Sequence, residues 1–99
     1  MVIIAKSTLT RFAEREGSSL VPLIEWYDFV READWASLAD IRSDFNSVDY
    51  VGNDRYVFNI RGNHYRLVVM IHFSIRTVYI KFVGSHQQYD RIDAKTIGL

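Results

Sequence analysis

The chain of 99 residues contains no cysteine, which excludes disulfides and any metal site built on thiolates. A reducing compartment suits such a chain, and the cytoplasm is expected. With one proline and five glycines there is no flexible linker, and no repeat or low-complexity tract appears. Apolar runs are also short. None approaches the roughly 18 residues of a membrane span, and Val2–Ala5 is too brief for the apolar region of a signal peptide. No membrane association is expected. The length suits one domain, residues 1–99, around a single core.

A formal net charge of zero hides an uneven distribution. Residues 1–54 carry five basic and ten acidic side chains, whereas residues 55–99 carry seven basic and two acidic ones. The second half also holds all three histidines, His64, His72 and His86. A positive sheet face invites phosphate; simple attraction between the two halves across the core is the competing explanation. The histidines lack ligand-like spacing, so no metal or other cofactor is expected.

Branched and aromatic residues concentrate in Tyr56–Ile60, Tyr65–Phe73 and Thr77–Val83, which predicts three antiparallel strands. A turn at Gly62-Asn63 pairs Ile60 with Tyr65, Asn59 with Arg66 and Phe58 with Leu67. A turn at Ser74-Ile75 pairs Ile71 with Val78, Val69 with Ile80, Leu67 with Phe82 and Arg66 with Val83. Ser-Ile lacks residues suited to positive φ, so a longer loop is the alternative there. Alternation then sends Phe58, Ile60, Tyr65, Leu67, Val69, Ile71, Phe73, Val78, Ile80 and Phe82 to the core. The opposite face receives Asn59, Arg66, Val68, Met70, His72, Thr77, Tyr79, Lys81 and Val83.

Upstream, Val2-Ile3-Ile4 reads as an edge strand. Helices are expected over Thr8–Glu16, capped by Ser7 and ended by Gly17; over Pro22–Ala33; and over Trp35–Phe45, capped by Asp34. Apolar residues cover more than half of the second helix, which predicts burial between the sheet and the first helix. Trp26 and Trp35 are expected in the core. Asn46–Asp54 is turn-rich, with room for a short strand at Asp49–Val51. Helices segregated from a mostly antiparallel sheet make this an α+β fold.

After Val83 the chain reads Gly84-Ser85-His86-Gln87-Gln88-Tyr89-Asp90. Glycine permits a sharp exit from the strand, leaving His86 beyond the sheet end where Arg66 and the Arg61–His64 turn lie. Arg61, Arg66, His86 and Tyr89 can therefore converge, with Lys81 further down the same face. Cations that hold a phosphate beside a group titrating near neutrality suit RNA cleavage by the 2′-hydroxyl. His72 serves as a contrast, because six residues of strand separate it from Arg66, about 20 Å at strand rise. Each residue also has a plainer role. His64 suits a solvated turn, His86 a structural contact, Arg66 an ion pair with Asp90 or Asp93, and Tyr79 and Tyr89 aromatic cover on the sheet.

The segments Arg61–Leu67 and Phe82–Asp93 together resemble the HigB family of toxins from bacterial toxin–antitoxin modules. Supporting matches lie in Trp26-Tyr27, Ala33-Asp34-Trp35, Val51-Gly52-Asn53 and Val57–Ile60, in one colinear order over nearly the whole chain. The resemblance implies a RelE-like fold and an mRNA interferase acting on translating ribosomes. It also implies a cognate HigA-type antitoxin with a helix-turn-helix domain, and operator DNA contacted only through the toxin–antitoxin complex. The family's recurrent polar positions fall on Asn63, Arg66, His86, Tyr89 and Asp90, with a basic residue at Lys81. His64 stands where lysine or another polar residue is more usual. On this reading Arg66, assisted by Lys81 and Arg61, binds the scissile phosphate, and His86 transfers protons. Tyr89 stacks on a base or orients the 2′-hydroxyl, Asp90 positions His86 or Arg66, and Asn63 and His64 contact RNA. Two other readings remain open at this point: a non-catalytic RNA- or ribosome-binding domain, and a protein-interaction module.

Overall fold

Runs of β-branched and aromatic residues in the middle of the chain form the centre of the sheet. The computed structural model describes residues 1–98. In order they form β1 (Val2–Ile4), α1 (Lys6–Arg15), α2 (Leu20–Glu32), α3 (Leu38–Asp44), β2 (Asp49–Gly52), β3 (Arg55–Ile60), β4 (Tyr65–His72), β5 (Thr77–Ser85) and α4 (His86–Tyr89). Short 3₁₀ turns at Gly17–Ser19 and Phe73–Ile75 precede α2 and β5. The sheet order is β1-β5-β4-β3-β2, with β1 parallel to β5 and the other pairs antiparallel. This is the expected α+β arrangement, with β1 at one edge.

The β3–β4 hairpin has the predicted register, Phe58 facing Leu67, Asn59 facing Arg66 and Ile60 facing Tyr65. The β4–β5 pair follows prediction only in part. Ile71 faces Val78 and Val69 faces Ile80, but Val68 then faces Phe82, leaving Lys81 as an extra residue in β5. Beyond this bulge Leu67 faces Val83 and Arg66 faces Gly84, rather than Phe82 and Val83. A one-residue insertion reverses the facing of everything after it. Val83 accordingly packs with the helix-side core, and Phe82 turns to the outer face. Phe73 leaves the strand for the 3₁₀ turn, and Arg76 adopts a left-handed φ of 51° to re-enter β5. The connection is thus the longer of the two loops considered.

The helices cover one face of the sheet. Leu9, Phe12, Leu23, Trp26, Val30 and Ile41 meet Phe58, Ile60, Leu67, Val69 and Val78 in the main core. Both tryptophans are buried, as expected. Helix starts differ from the sequence reading. Ala5 rather than Ser7 precedes α1, and α2 begins at Leu20, which puts Pro22 in its first turn, where no backbone donor is lost. Asp34 caps nothing and instead pairs with Arg76 at 2.6 Å. Ser37 is the N-cap of α3, because Ala33–Ala36 run non-helically to bring Trp35 into the core, where its indole donates to Asp44 at 2.8 Å. Nor is α2 covered all round. Val21, Ile24 and Phe29 are exposed, so its apolar stripe is wider than the surface packed against it.

The outer face is not bare. Val57, Val68 and Ala94 form a second apolar cluster with Val51, Phe82, Tyr89, Ile92 and Ile97. Residues 90–98 therefore lie as a strap across the sheet opposite the helices.

Candidate functional site

The turn between β3 and β4 closes by a hydrogen bond from His64 N–H to the Arg61 carbonyl at 3.2 Å. Gly62 takes a φ of 61°, which glycine adopts without steric cost. This turn is tied to the end of β5, because His86 N–H donates to the His64 carbonyl at 3.2 Å. Arg66 leans back toward the same turn. Its guanidinium donates to the Asn63 carbonyl at 3.2 Å, to Asn63 Oδ1 at 3.4 Å and to the Tyr65 carbonyl at 3.4 Å. Arg66 alternates with Val68, so it emerges on the outer face, the face to which Tyr89 packs. Arginine and histidine thus share one end of the sheet.

The helix α4 presents the remaining groups. Ser85 caps it reciprocally, its Oγ accepting from Gln88 N–H at 3.1 Å while Gln88 Oε1 accepts from Ser85 N–H at 2.8 Å. His86 Nδ1 and Asp90 Oδ2 are 3.2 Å apart, one helical turn along. In the tautomer that donates Nδ1–H to the carboxylate, Nε2 carries no hydrogen, and the ring is exposed. Tyr89 is half-buried. Burial, and then Asp49 and Asp90, raise its phenol above the usual value, while Arg66 opposes them. The phenol therefore keeps its proton at neutral pH, which leaves an O–H able to donate.

Asn63, His64, Arg66, His86, Tyr89 and Asp90 are thus brought together. Two residues are not. Arg61, at a φ of 52°, lines a cleft on the helix side with Pro22, Trp26, Phe29 and Asp44. Lys81, the bulge residue, donates to the Gly98 carbonyl at 3.2 Å and lies 5.9 Å from the centre of the Tyr79 ring. The register shift turns it toward the strap instead of toward Arg66. His72 is exposed at the far end of β4, edge-on to Tyr79. Among the described residues no group of three or more histidine, aspartate or glutamate side chains is arranged to hold a metal, and no helix is long and apolar enough to cross a membrane.

Gly84 has a different role from the one expected. The strand continues through it to Ser85, so it does not provide a sharp exit. It leaves space. A Cβ at this position would lie 2.5 Å from Phe82 Cζ and 2.8 Å from Gln88 Oε1. Gly84→Ala is therefore expected to cost roughly 1–3 kcal/mol by overpacking, and to disturb the cap that orients His86. Thermal melting measures the first effect and RNA cleavage the second; an unchanged melting temperature would show that Phe82 and Gln88 give way freely.

Sequence reasoning missed Arg55 and the strap it lies under. Val68 and Met70, on the face read as carrying the basic side chains, were the available sign that something apolar must cover it.

Three helices on one face of a five-stranded mixed sheet, with arginine and histidine gathered at one end of the other face, define an α+β domain with a RelE-like layout. The family model described as HigB_toxin, RelE-like toxic component of a toxin-antitoxin system, matches residues 20–92, and the chain belongs to that family. It is similar to the mRNA interferase HigB of Escherichia coli O6:H1, with 26% identity over 94 residues that cover 93% of this chain and 91% of the relative. It is also similar to the mRNA interferase toxin HigB of Escherichia coli K12, with 28% identity over 93 residues, 91% of this chain and 88% of the relative. A toxic component of such a system has an antitoxin as its partner.

Proposed function

We propose that this toxin is an endoribonuclease that cuts messenger RNA in the cytoplasm, on the translating ribosome, and so halts translation and growth. The observation that carries this reading is the bond from His86 N–H to the His64 carbonyl, which holds α4 against the turn that also anchors Arg66. The attacking nucleophile, a 2′-hydroxyl, belongs to the substrate. The protein has only to bind the phosphate, move two protons and stabilise the phosphorane. Arg66 binds the phosphate and meets its developing charge. His86, oriented by Asp90, carries the proton, and Tyr89 donates to the reacting oxygens or stacks on a base. Asn63 and His64 hold the strand at the turn, while Lys81 and Arg61 contact RNA further from the reacting phosphate. The antitoxin is of the HigA type with a helix-turn-helix domain, and operator DNA is met only through the complex.

Induced expression with mapped RNA ends tests this reading. His86→Ala is expected to cut roughly 10²–10⁴-fold more slowly and to permit growth. Growth arrest by His86→Ala with the wild-type set of RNA ends would remove His86 from the chemistry. RNA binding by the wild-type chain without new ends would leave a binding domain in place of an enzyme.

A further inference from the structure

Arg55 is fully buried, at 0% exposure, on the outer face of β3 beneath the strap. Its Nη1 donates to the carbonyls of Ala94, at 3.3 Å, and Ile97. Among the described residues no carboxylate pairs with it, and its Nε and Nη2 have no hydrogen-bond partner. A buried cation held by neutral carbonyls is expensive, and an apolar side chain of similar volume is often no less stable in such a place. The net contribution of this charge to stability is therefore expected to be small.

The charge does fix the strap. Two carbonyls three residues apart converge on one nitrogen, and between them the Lys95 carbonyl accepts from Asn53 Nδ2 at 2.8 Å. Ala94 packs in the same outer-face cluster as Tyr89, Ile92 and Val68. Tyr89 closes the helix that His86 opens. Arg55, strap, Tyr89 and α4 thus form one continuous packed chain that ends at the candidate site.

We infer that Arg55 is a positioning residue for RNA cleavage, setting Tyr89 and α4 through the backbone of residues 94–97. The inference rests on the reading of Arg66, His86 and Tyr89 as the site. Its signature is a loss of rate without a matching loss of stability. Displacement of a reacting group by about 1 Å can lower a rate by roughly 10²-fold.

The test uses the full chain and messenger RNA in a translation extract, with maximal rate and half-saturating concentration measured separately. Arg55→Met is expected to melt within a few degrees of wild type, to exchange strap amides faster, and to lower the maximal rate roughly tenfold or more with half-saturation little changed. Arg55→Lys, which keeps a cation able to reach the same carbonyls, should recover part of that rate. Asn53→Gly removes the neighbouring strap contact and keeps the positive φ of that position; it should shift the rate in the same direction by less. A wild-type maximal rate in Arg55→Met overturns the inference, as does a rate that merely follows melting temperature across the three variants. Should Arg55→Met fail to fold, an unaltered rate in Asn53→Gly overturns it. If wild type cleaves and all three variants match it, the site stands and Arg55 has no part in it; absence of cleavage by wild type removes the site itself.

Discussion

Arg66→Ala is expected to slow RNA cleavage by roughly 10²–10³-fold, the usual consequence of removing one preorganised donor to a developing oxyanion. The phosphorane carries more negative charge than the phosphodiester it comes from. A guanidinium offering two parallel N–H groups therefore binds the transition state better than the ground state. The maximal rate should fall more than the apparent affinity for RNA. The fold should survive, because Arg66 is only half-buried and its partners belong to the adjacent turn and its own strand. Losing such bonds costs about 1 kcal/mol. Arg66→Lys should restore only part of the rate, since an ammonium cannot reproduce the forked geometry. Arg61→Ala is the internal control: that side chain lines the helix-side cleft, so its loss should change the rate by only a few-fold. Single-turnover cleavage with melting curves for all three decides the matter, and an Arg66→Ala rate within about threefold of wild type would exclude Arg66 from transition-state binding.

The contrast between Arg66 and Lys81 shows how far alternation reaches. On the helix-side face the sequence period and the sheet agree from Phe58 to Ile71 and again at Val78 and Ile80, because a one-residue slip there would turn the buried set outward. The agreement ends at Lys81. A bulge leaves no mark in a run of β-formers such as Tyr79-Ile80-Lys81-Phe82-Val83, yet it reverses Phe82 and Val83 and turns Lys81 toward the strap. Arg66 kept its predicted face because its neighbour across the β3–β4 turn is set by Gly62-Asn63, upstream of the bulge. His86 reaches the same end of the sheet by a contact no pattern foretells, its backbone N–H to the His64 carbonyl. Family likeness pointed to the polar residues at this end. It said nothing of Arg55, whose isolation under the strap depends on where residues 90–98 lie.

Helix caps were less legible for a physical reason. Ser7, Asp34 and Ser37 are all competent caps, and only the path of the chain selects among them. Trp35 decides one case. Its ring must enter the core beside Phe58, so the residues before it run non-helically and Ser37, not Asp34, caps the helix. Asp34 is then free to meet Arg76, an exposed pair worth at most about 1 kcal/mol.

The largest stability effect is expected at Phe58. It is 1% exposed and touches three aromatic rings, Phe45 at 5.2 Å, Trp26 at 5.4 Å and Trp35 at 6.2 Å between centroids. Those rings come from α2, from the segment before α3 and from the end of α3, so one side chain on β3 joins most of the helical layer to the sheet. Phe58→Ala removes the transfer energy of the ring and leaves a cavity that stiff aromatic neighbours cannot fill, about 3–5 kcal/mol in all. In a domain of about 100 residues that corresponds to a melting temperature lower by roughly 15–30 °C. Against a typical total stability of about 5–15 kcal/mol the variant sits near the edge of folding. Phe29→Ala gives the comparison, because Phe29 is 48% exposed and meets only Phe45 among the aromatic rings. Its loss should be under about 1 kcal/mol, in line with one edge-to-face pair. Urea titration of both variants measures the difference as a shift in midpoint at constant slope. Equal midpoints would mean that the helical layer is not held to the sheet through Phe58.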